Sequence, residues 1–116
     1  MKITKIILFV VFSTFGFQIS AQKIKNVKEV FEVSGNCDMC KTLIETTAIS
    51  IEGVKSSRWN MLSKTMKVKF NPNLTSSDEI QKTIADIGYD TEKYRADDEV
   101  YEELHYCCQY ERKPKK

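Results

Sequence analysis

The chain has 116 residues, enough for one domain and not for two. Hydrophobic residues make up 41% and charged residues 29%, which excludes a disordered tail and a multi-span membrane protein. With 18 basic against 16 acidic residues, the charge is too balanced for a nucleic-acid binder that works by neutralising phosphates. The cysteines fall in two close pairs, Cys37/Cys40 and Cys107/Cys108, and they are the most informative feature of the composition.

The N-terminal segment has the pattern of a signal peptide. Lys2 and Lys5 precede an almost wholly apolar run at 6–17, which is shorter than the roughly 20 residues of a spanning helix. We therefore predict that residues 1–21 are removed after Ala21 and that the protein is exported, either periplasmic or secreted. The alternative is an uncleaved N-terminal anchor, the one membrane contact that the sequence suggests.

The remaining chain predicts six elements in the order strand, helix, strand, strand, helix, strand. The strands are expected at 25–33, 55–60, 65–70 and 89–94, and the helices at 38–50 and 78–87. Ser76 or Ser77 can cap the second helix, and Gly88 ends it. This order predicts an α+β, ferredoxin-like domain at 25–95, with a four-stranded antiparallel sheet and two helices on one face.

Residues 96–116 predict a helical tail. Asp97 or Asp98 can cap a helix, after which Val100, Leu104 and one residue of the second cysteine pair share a face. Acidic residues near its start and basic residues near its end suit the helix dipole. We expect a third helix, or a helical turn, docked on the domain.

The first cysteine pair, Cys37-Asp38-Met39-Cys40, lies between a predicted strand and the start of a predicted helix. The spacing lets two sulfurs hold one ion, and a helix N-terminus stabilises a thiolate. Two thiolates favour Cu(I), Zn, Cd or Hg over Mg or Ca. Structural zinc sites use four ligands and this motif supplies two, so it predicts an open site suited to passing a metal between proteins.

The flanking sequence resembles the metal-binding motif of the heavy-metal-associated domain family. The resemblance is carried by 33–45 (VSGNCDMCKTLIE) and continues in IEGV at 51–54, VKFNP at 68–72 and the stretch 80–89. That family includes small copper chaperones, N-terminal modules of copper-transporting ATPases and the periplasmic mercury-binding protein. The resemblance implies the same βαββαβ fold, with Cys37 and Cys40 as ligands. Tyr89 matches the residue that shapes access to the metal in bacterial copper chaperones.

The motif loop departs from the family pattern. The family has Gly-Met-x-Cys before its first ligand, whereas Gly35 here stands two positions before Cys37 and Asn36 precedes the cysteine directly. The methionine, Met39, lies between the two cysteines instead. This departure affects the expected loop geometry and metal preference but leaves the expected fold unchanged. We expect Asn36 and Tyr89 to shape the site.

The second cysteine pair belongs to His105-Tyr106-Cys107-Cys108, which has no counterpart in the minimal family domain. On a helix, His105 and Cys108 would face the same way and Cys107 would point with Leu104. These residues and Met39 are candidate auxiliary ligands, for a second soft-metal site or for the first one. The alternatives are disulfides that staple the tail to the domain, a surface His105, and a Met39 that merely lies beside the site.

Two functions of different classes follow from these cysteines. The first is a non-catalytic carrier or buffer that binds one soft ion, Cu(I) before Zn, Cd or Hg. It would hand this ion to a metal transporter or another Cys-containing metal-binding protein, as a monomer or a metal-bridged dimer. The second is a thiol–disulfide oxidoreductase that uses the same cysteine pair. The sequence argues against it, because the motif does not begin with a Trp-Cys pair. Thioredoxin-like proteins also carry a cis-proline strand opposite the active site, whereas Pro72 lies in a predicted turn. A docking module stapled by disulfides is a third alternative. No catalytic triad or phosphate loop is visible, so we predict that the protein is not an enzyme and binds no nucleic acid.

Overall fold

The computed structural model of the chain describes residues 25–115, so the predicted signal peptide lies outside the described residues. In chain order the elements are β1 (Val27–Glu32), α1 (Asp38–Ile49), β2 (Val54–Asn60), β3 (Thr65–Phe70), α2 (Ser77–Asp86), α3 (Asp98–Glu102) and a 3-10 turn at Tyr106–Cys108. Within the described range, none of the helices has the length and apolar character needed to cross a bilayer.

The three strands form an antiparallel sheet in the order β1-β3-β2. Phe31 of β1 and Trp59 of β2 lie on either side of Met66 of β3, so their side chains form a row across the sheet. All three are buried. Burial alternates along β3 from Met66 to Phe70, which confirms the prediction that one face of this strand packs into the core while the intervening lysines point away.

Both long helices pack on the buried face of the sheet. In α1 the buried residues recur at intervals of four, Cys40, Ile44 and Ala48. In α2 they are Ile80, Gln81, Ile84 and Ala85. Most of these side chains join those of the sheet in one hydrophobic core. The hydroxyl group of Ser76 accepts a hydrogen bond from the N–H of Glu79 at 3.1 Å, which identifies Ser76 as the cap of α2.

The predicted fourth strand at 89–94 is wrong among the described residues. This segment contributes one antiparallel bridge, between Val33 and Thr91, beside β1. Two of its backbone groups hydrogen-bond elsewhere: the N–H of Thr91 to the carbonyl of Tyr94 at 2.7 Å, and the N–H of Lys93 to the side chain of Gln81 at 3.0 Å. The segment therefore closes into a turn after one bridge, since these donors are not free to pair with β1.

The tail forms two short helical pieces and not one continuous helix. Helix α3 ends at Glu102 and is followed by the separate 3-10 turn, so the tail residues do not share one helical face. No basic residue lies in the last turn of α3, whose final residue is Glu102, and a negative charge there opposes the helix dipole. Arg112, one of the basic residues near the end of the tail, pairs with Asp90 in the domain.

Candidate metal centre

The first cysteine pair lies at the N-terminus of α1, as the spacing predicts. Cys37 occupies the N-cap position with extended backbone angles, and Cys40 lies one turn into the helix. Cys37 is half-buried, and Cys40 is fully buried against the core. The two sulfur atoms are 3.2 Å apart, so both can contact one ion without a change in the backbone.

The tail brings the second cysteine pair to the same place. The Sγ of Cys37 lies 3.6 Å from that of Cys108 and 3.9 Å from that of Cys107. Cys37, Cys40 and Cys108 form a cluster in which all three sulfurs lie within 4.8 Å of one another. All four cysteines are free thiols.

The remaining predicted auxiliary residues lie on the solvent side of this cluster. The Sδ of Met39 is 3.9 Å from the Sγ of Cys107, and Met39 is 45% exposed. The Nδ1 of His105 is 3.2 Å from the same sulfur. His105 and Cys108 do not face the same way, as a continuous helix would require: His105 is exposed and Cys108 is buried. His105 is the N-cap residue of the 3-10 turn and has a non-helical ψ of 142°, so it does not stack one helical turn before Cys108.

The environments of the two motif cysteines move their pKa values in opposite directions. Partial burial opposes ionisation of Cys37, but hydrogen bonds from the backbone and thiol of Cys40, and from the two tail thiols, lower its pKa to about 7. Burial raises the pKa of Cys40 to about 11 and also raises the pKa of Cys108. A large fraction of Cys37 is therefore ionised near neutral pH, whereas burial keeps Cys40 and Cys108 protonated there.

The motif loop is held by groups outside the motif. A methyl group at Gly35 would lie 3.0 Å from the indole ring of Trp59 and 3.3 Å from the Cβ of Cys40, so a side chain here would force the buried indole ring to shift. The indole Nε1 of Trp59 donates to the carbonyl of Val33 at 2.9 Å, and the ammonium group of Lys64 donates to the carbonyl of Gly35 at 2.5 Å. The indole ring of Trp59 thus packs against the loop before Cys37, which lacks the methionine of the family pattern.

The two predicted site-shaping residues both lie close to the Cys40 sulfur. The side-chain carbonyl of Asn36, which is exposed, lies 3.3 Å from this sulfur. Tyr89 is fully buried, beside the thiols of Cys40 and Cys108. Among the described residues its hydroxyl group is a buried polar group without a hydrogen-bond partner by ordinary geometry. Such a group is costly to bury, and a thiolate on either neighbouring sulfur would supply the missing acceptor.

Sequence reasoning missed the residues that anchor the tail. The hydroxyl group of Tyr110 accepts from the N–H of Asp90 and donates to the carbonyl of Gly88, each at 2.8 Å. The tyrosine ring stacks on Tyr89, with ring centroids 5.9 Å apart. Two residues further on, the guanidinium group of Arg112 binds both carboxylate oxygens of Asp90, at 3.0 and 2.8 Å. The sequence predicts that the tail docks on the domain, and the aromatic residue at position 110 was the signal that could have indicated this anchor.

The fold and the sulfur cluster define a small α+β domain with a soft-metal-binding motif at the start of its first helix. Residues 30–90 match the model of the heavy-metal-associated domain family. The chain belongs to this family, which confirms the family resemblance of the motif.

Similar proteins include a copper transporter and a copper chaperone. The chain is 34% identical over 71 residues to a probable copper-exporting P-type ATPase of Archaeoglobus fulgidus, a match of 60% of this chain and 9% of the ATPase. It is 28% identical over 65 residues to the copper chaperone CopZ of Staphylococcus haemolyticus, covering 55% of this chain and 96% of the chaperone. The chain thus spans about a tenth of the ATPase and nearly all of the chaperone.

A solved structure shares the fold. It is the N-terminal domain of a potential copper-translocating P-type ATPase from Bacillus subtilis in the Cu(I)-loaded state, with a TM-score of 0.54 and 28% identity. The match covers 57% of this chain and 84% of that one. This match, like those to the two sequence relatives, covers only part of the present chain. The family match ends at residue 90, before the tail that carries the second cysteine pair.

Proposed function

We propose that the protein is a non-enzymatic carrier or buffer of Cu(I), which it binds through the thiolates of Cys37 and Cys40. The observation that carries this proposal is the pair of sulfurs 3.2 Å apart at the N-terminus of α1, in a domain of the heavy-metal-associated family. Its similarity to copper chaperones and to copper ATPases supports copper as the cargo. Zn, Cd and Hg are the competing soft ions.

Handover of the ion follows from the properties of the two thiols. Cys37 is half-buried and ionises near neutral pH, so it is the sulfur that an incoming ion meets first and the one that an acceptor reaches. Binding releases the proton of Cys40, and a thiolate of the acceptor replaces the sulfurs one at a time during transfer. The acceptor is a metal transporter or another protein with a cysteine-containing metal site.

The predicted signal peptide supports a role outside the cytoplasm, where exposed thiols tend to oxidise. A bound soft ion would protect the thiol pair in such a compartment, because the electron pairs of the sulfurs are engaged with the metal. The intact mass of protein recovered from the exported fraction tests this placement. A chain that begins at Gln22 is expected, and a full-length chain found in the membrane fraction would contradict export of a free protein.

A Cu(I) titration of the reduced protein against a competing chelator tests the binding function. One tightly bound equivalent is expected, and Cys37→Ser or Cys40→Ser abolishes tight binding because each removes one of two essential ligands. Cys107→Ser is the matched control, since it makes the same chemical change in a half-buried thiol of the tail. Tight binding that survives both Cys37→Ser and Cys40→Ser would refute the site.

A redox assay distinguishes the metal carrier from the thiol–disulfide oxidoreductase. The carrier has no need to exchange disulfides with a protein substrate, so no reduction of insulin is expected. A strongly oxidising potential of the Cys37/Cys40 pair, together with isomerase activity, would favour the oxidoreductase.

A further inference from the structure

We propose that Cys108 is the third ligand of the ion held by Cys37 and Cys40, so that the tail converts an open two-thiol site into a three-thiolate site closed by the chain itself. This inference rests on the proposed function, because it concerns the same ion. It assigns a role to a cysteine pair that lies beyond the matched family domain, which ends at residue 90.

The distances between the sulfurs fit a three-coordinate ion. An ion about 2.3 Å from each of three sulfurs in one plane needs sulfur–sulfur distances of about 4.0 Å. The sulfur of Cys37 lies 3.2 Å from that of Cys40 and 3.6 Å from that of Cys108, and all three lie within 4.8 Å of one another. Shifts of less than 1 Å therefore bring the triangle to the required size, about the scale of a side-chain adjustment.

Cys108 is held in place by the tail. It is fully buried in the hydrophobic core, as the last residue of the 3-10 turn and two residues before Tyr110, which anchors the tail together with Arg112. The side chain of Arg112 is 11% exposed and that of Asp90 is 13% exposed, so their ion pair is largely shielded from solvent. A ligand that is fixed in position before the ion arrives loses little conformational freedom on binding.

The buried hydroxyl group of Tyr89 is an independent sign that these sulfurs carry negative charge in the working protein. This hydroxyl has no hydrogen-bond partner by ordinary geometry among the described residues, and it lies beside Cys40 and Cys108. A thiolate is a stronger acceptor than a thiol, so ionisation of these two sulfurs by a bound ion satisfies the donor. Metal ligands commonly accept hydrogen bonds from such surrounding groups, which orient them.

The three-thiolate site changes how the ion leaves. An acceptor must displace three thiolates of this chain and not two, because Cys108 holds the ion together with Cys37 and Cys40. Transfer therefore requires Cys108 to detach, and the domain retains its cargo until the tail is displaced. Cys107 lies outside the triangle, and its sulfur is 3.9 Å from each of Cys37 and Cys108.

The test compares Cys108→Ser with Cys107→Ser in the purified, reduced protein. Competition with a chelator is expected to show that Cys108→Ser lowers the Cu(I) affinity at least about tenfold, whereas Cys107→Ser changes it by less than about threefold. X-ray absorption spectroscopy of the Cu(I) protein is expected to count three sulfur neighbours in the wild type and in Cys107→Ser, and two in Cys108→Ser.

The outcomes separate the two proposals. Two sulfur neighbours in the wild type, or equal affinities of Cys108→Ser and wild type, would overturn the third ligand and leave the carrier function intact. An equal loss in both tail variants would also overturn it, because the tail would then act without a specific sulfur. Tight binding by Cys37→Ser would instead overturn the proposed function. The wild-type spectrum decides the coordination number even if Cys108→Ser fails to fold.

Discussion

Removing one hydroxyl group from the tail tests how the tail is held. Tyr110→Phe keeps the ring that stacks on Tyr89 and deletes the two hydrogen bonds to Asp90 and Gly88, each 2.8 Å long. The change leaves the carbonyl of the buried Gly88 and the backbone N–H of Asp90 without these hydrogen bonds. Loss of the two hydrogen bonds, together with the cost of the unpaired groups, is expected to lower the free energy of unfolding by about 2–3 kcal/mol.

Two measurements report this loss. Urea denaturation followed by tryptophan fluorescence gives the change in the free energy of unfolding, since the single tryptophan, Trp59, is fully buried. Hydrogen exchange of the tail amides reports its local opening, which is expected to become about 30-fold to 100-fold more frequent. The same opening would weaken Cu(I) binding if Cys108 is a ligand.

Tyr106→Phe is the matched control. This residue is 81% exposed, so loss of its hydroxyl group changes the stability by less than about 0.5 kcal/mol. If Tyr110→Phe were no more destabilising than Tyr106→Phe, the hydroxyl group would not hold the tail, and the argument that Cys108 is fixed before metal arrives would fail.

Three further predictions follow from local geometry. Alkylation of Cys37 by iodoacetamide in the metal-free protein is expected to rise with pH with a midpoint near 7, while Cys40 stays unmodified because burial keeps its thiol protonated. Peptide mapping distinguishes the two cysteines, and a midpoint near 9 for Cys37 would contradict the lowered pKa. Gly88→Ala places a methyl group 3.1 Å from the side chain of Leu104 at a φ of +113°, so thermal denaturation should show a loss of about 1–2 kcal/mol or more. Ser76→Ala removes the cap of α2 and costs about 1 kcal/mol in the same assay, and an unchanged melting temperature would argue against the cap.

Local patterns in the sequence were sufficient for most of the domain. The alternation at Thr65–Phe70 and the four-residue spacing of apolar positions in α1 each depend on residues within one element, which is why β3 matches its predicted bounds and α1 differs by one residue. The motif at Cys37 and Cys40 is local in the same sense, because its loop and helix start are adjacent in the chain. Its surroundings also carried enough similarity to indicate the family.

Predictions that depended on distant contacts were less accurate. The segment at 89–94 has residues suited to a strand, but the side chain of Gln81 and an internal turn take the donors that a strand would need. The tail has residues suited to a helix, but its path is set by the pairing of Arg112 with Asp90. Neither competing partner is visible in the local pattern.

The sequence by itself determined the order of the helices and the first three strands, and the family. It also placed one thiol pair at a helix N-terminus, because these features depend on short-range periodicity and spacing. Only the tertiary structure decided that Cys108 meets Cys37, 71 residues away along the chain, at 3.6 Å. The physical reason is that the position of the tail depends on a few buried contacts, chiefly those of Tyr110 and Arg112, whose partners lie in a different part of the chain.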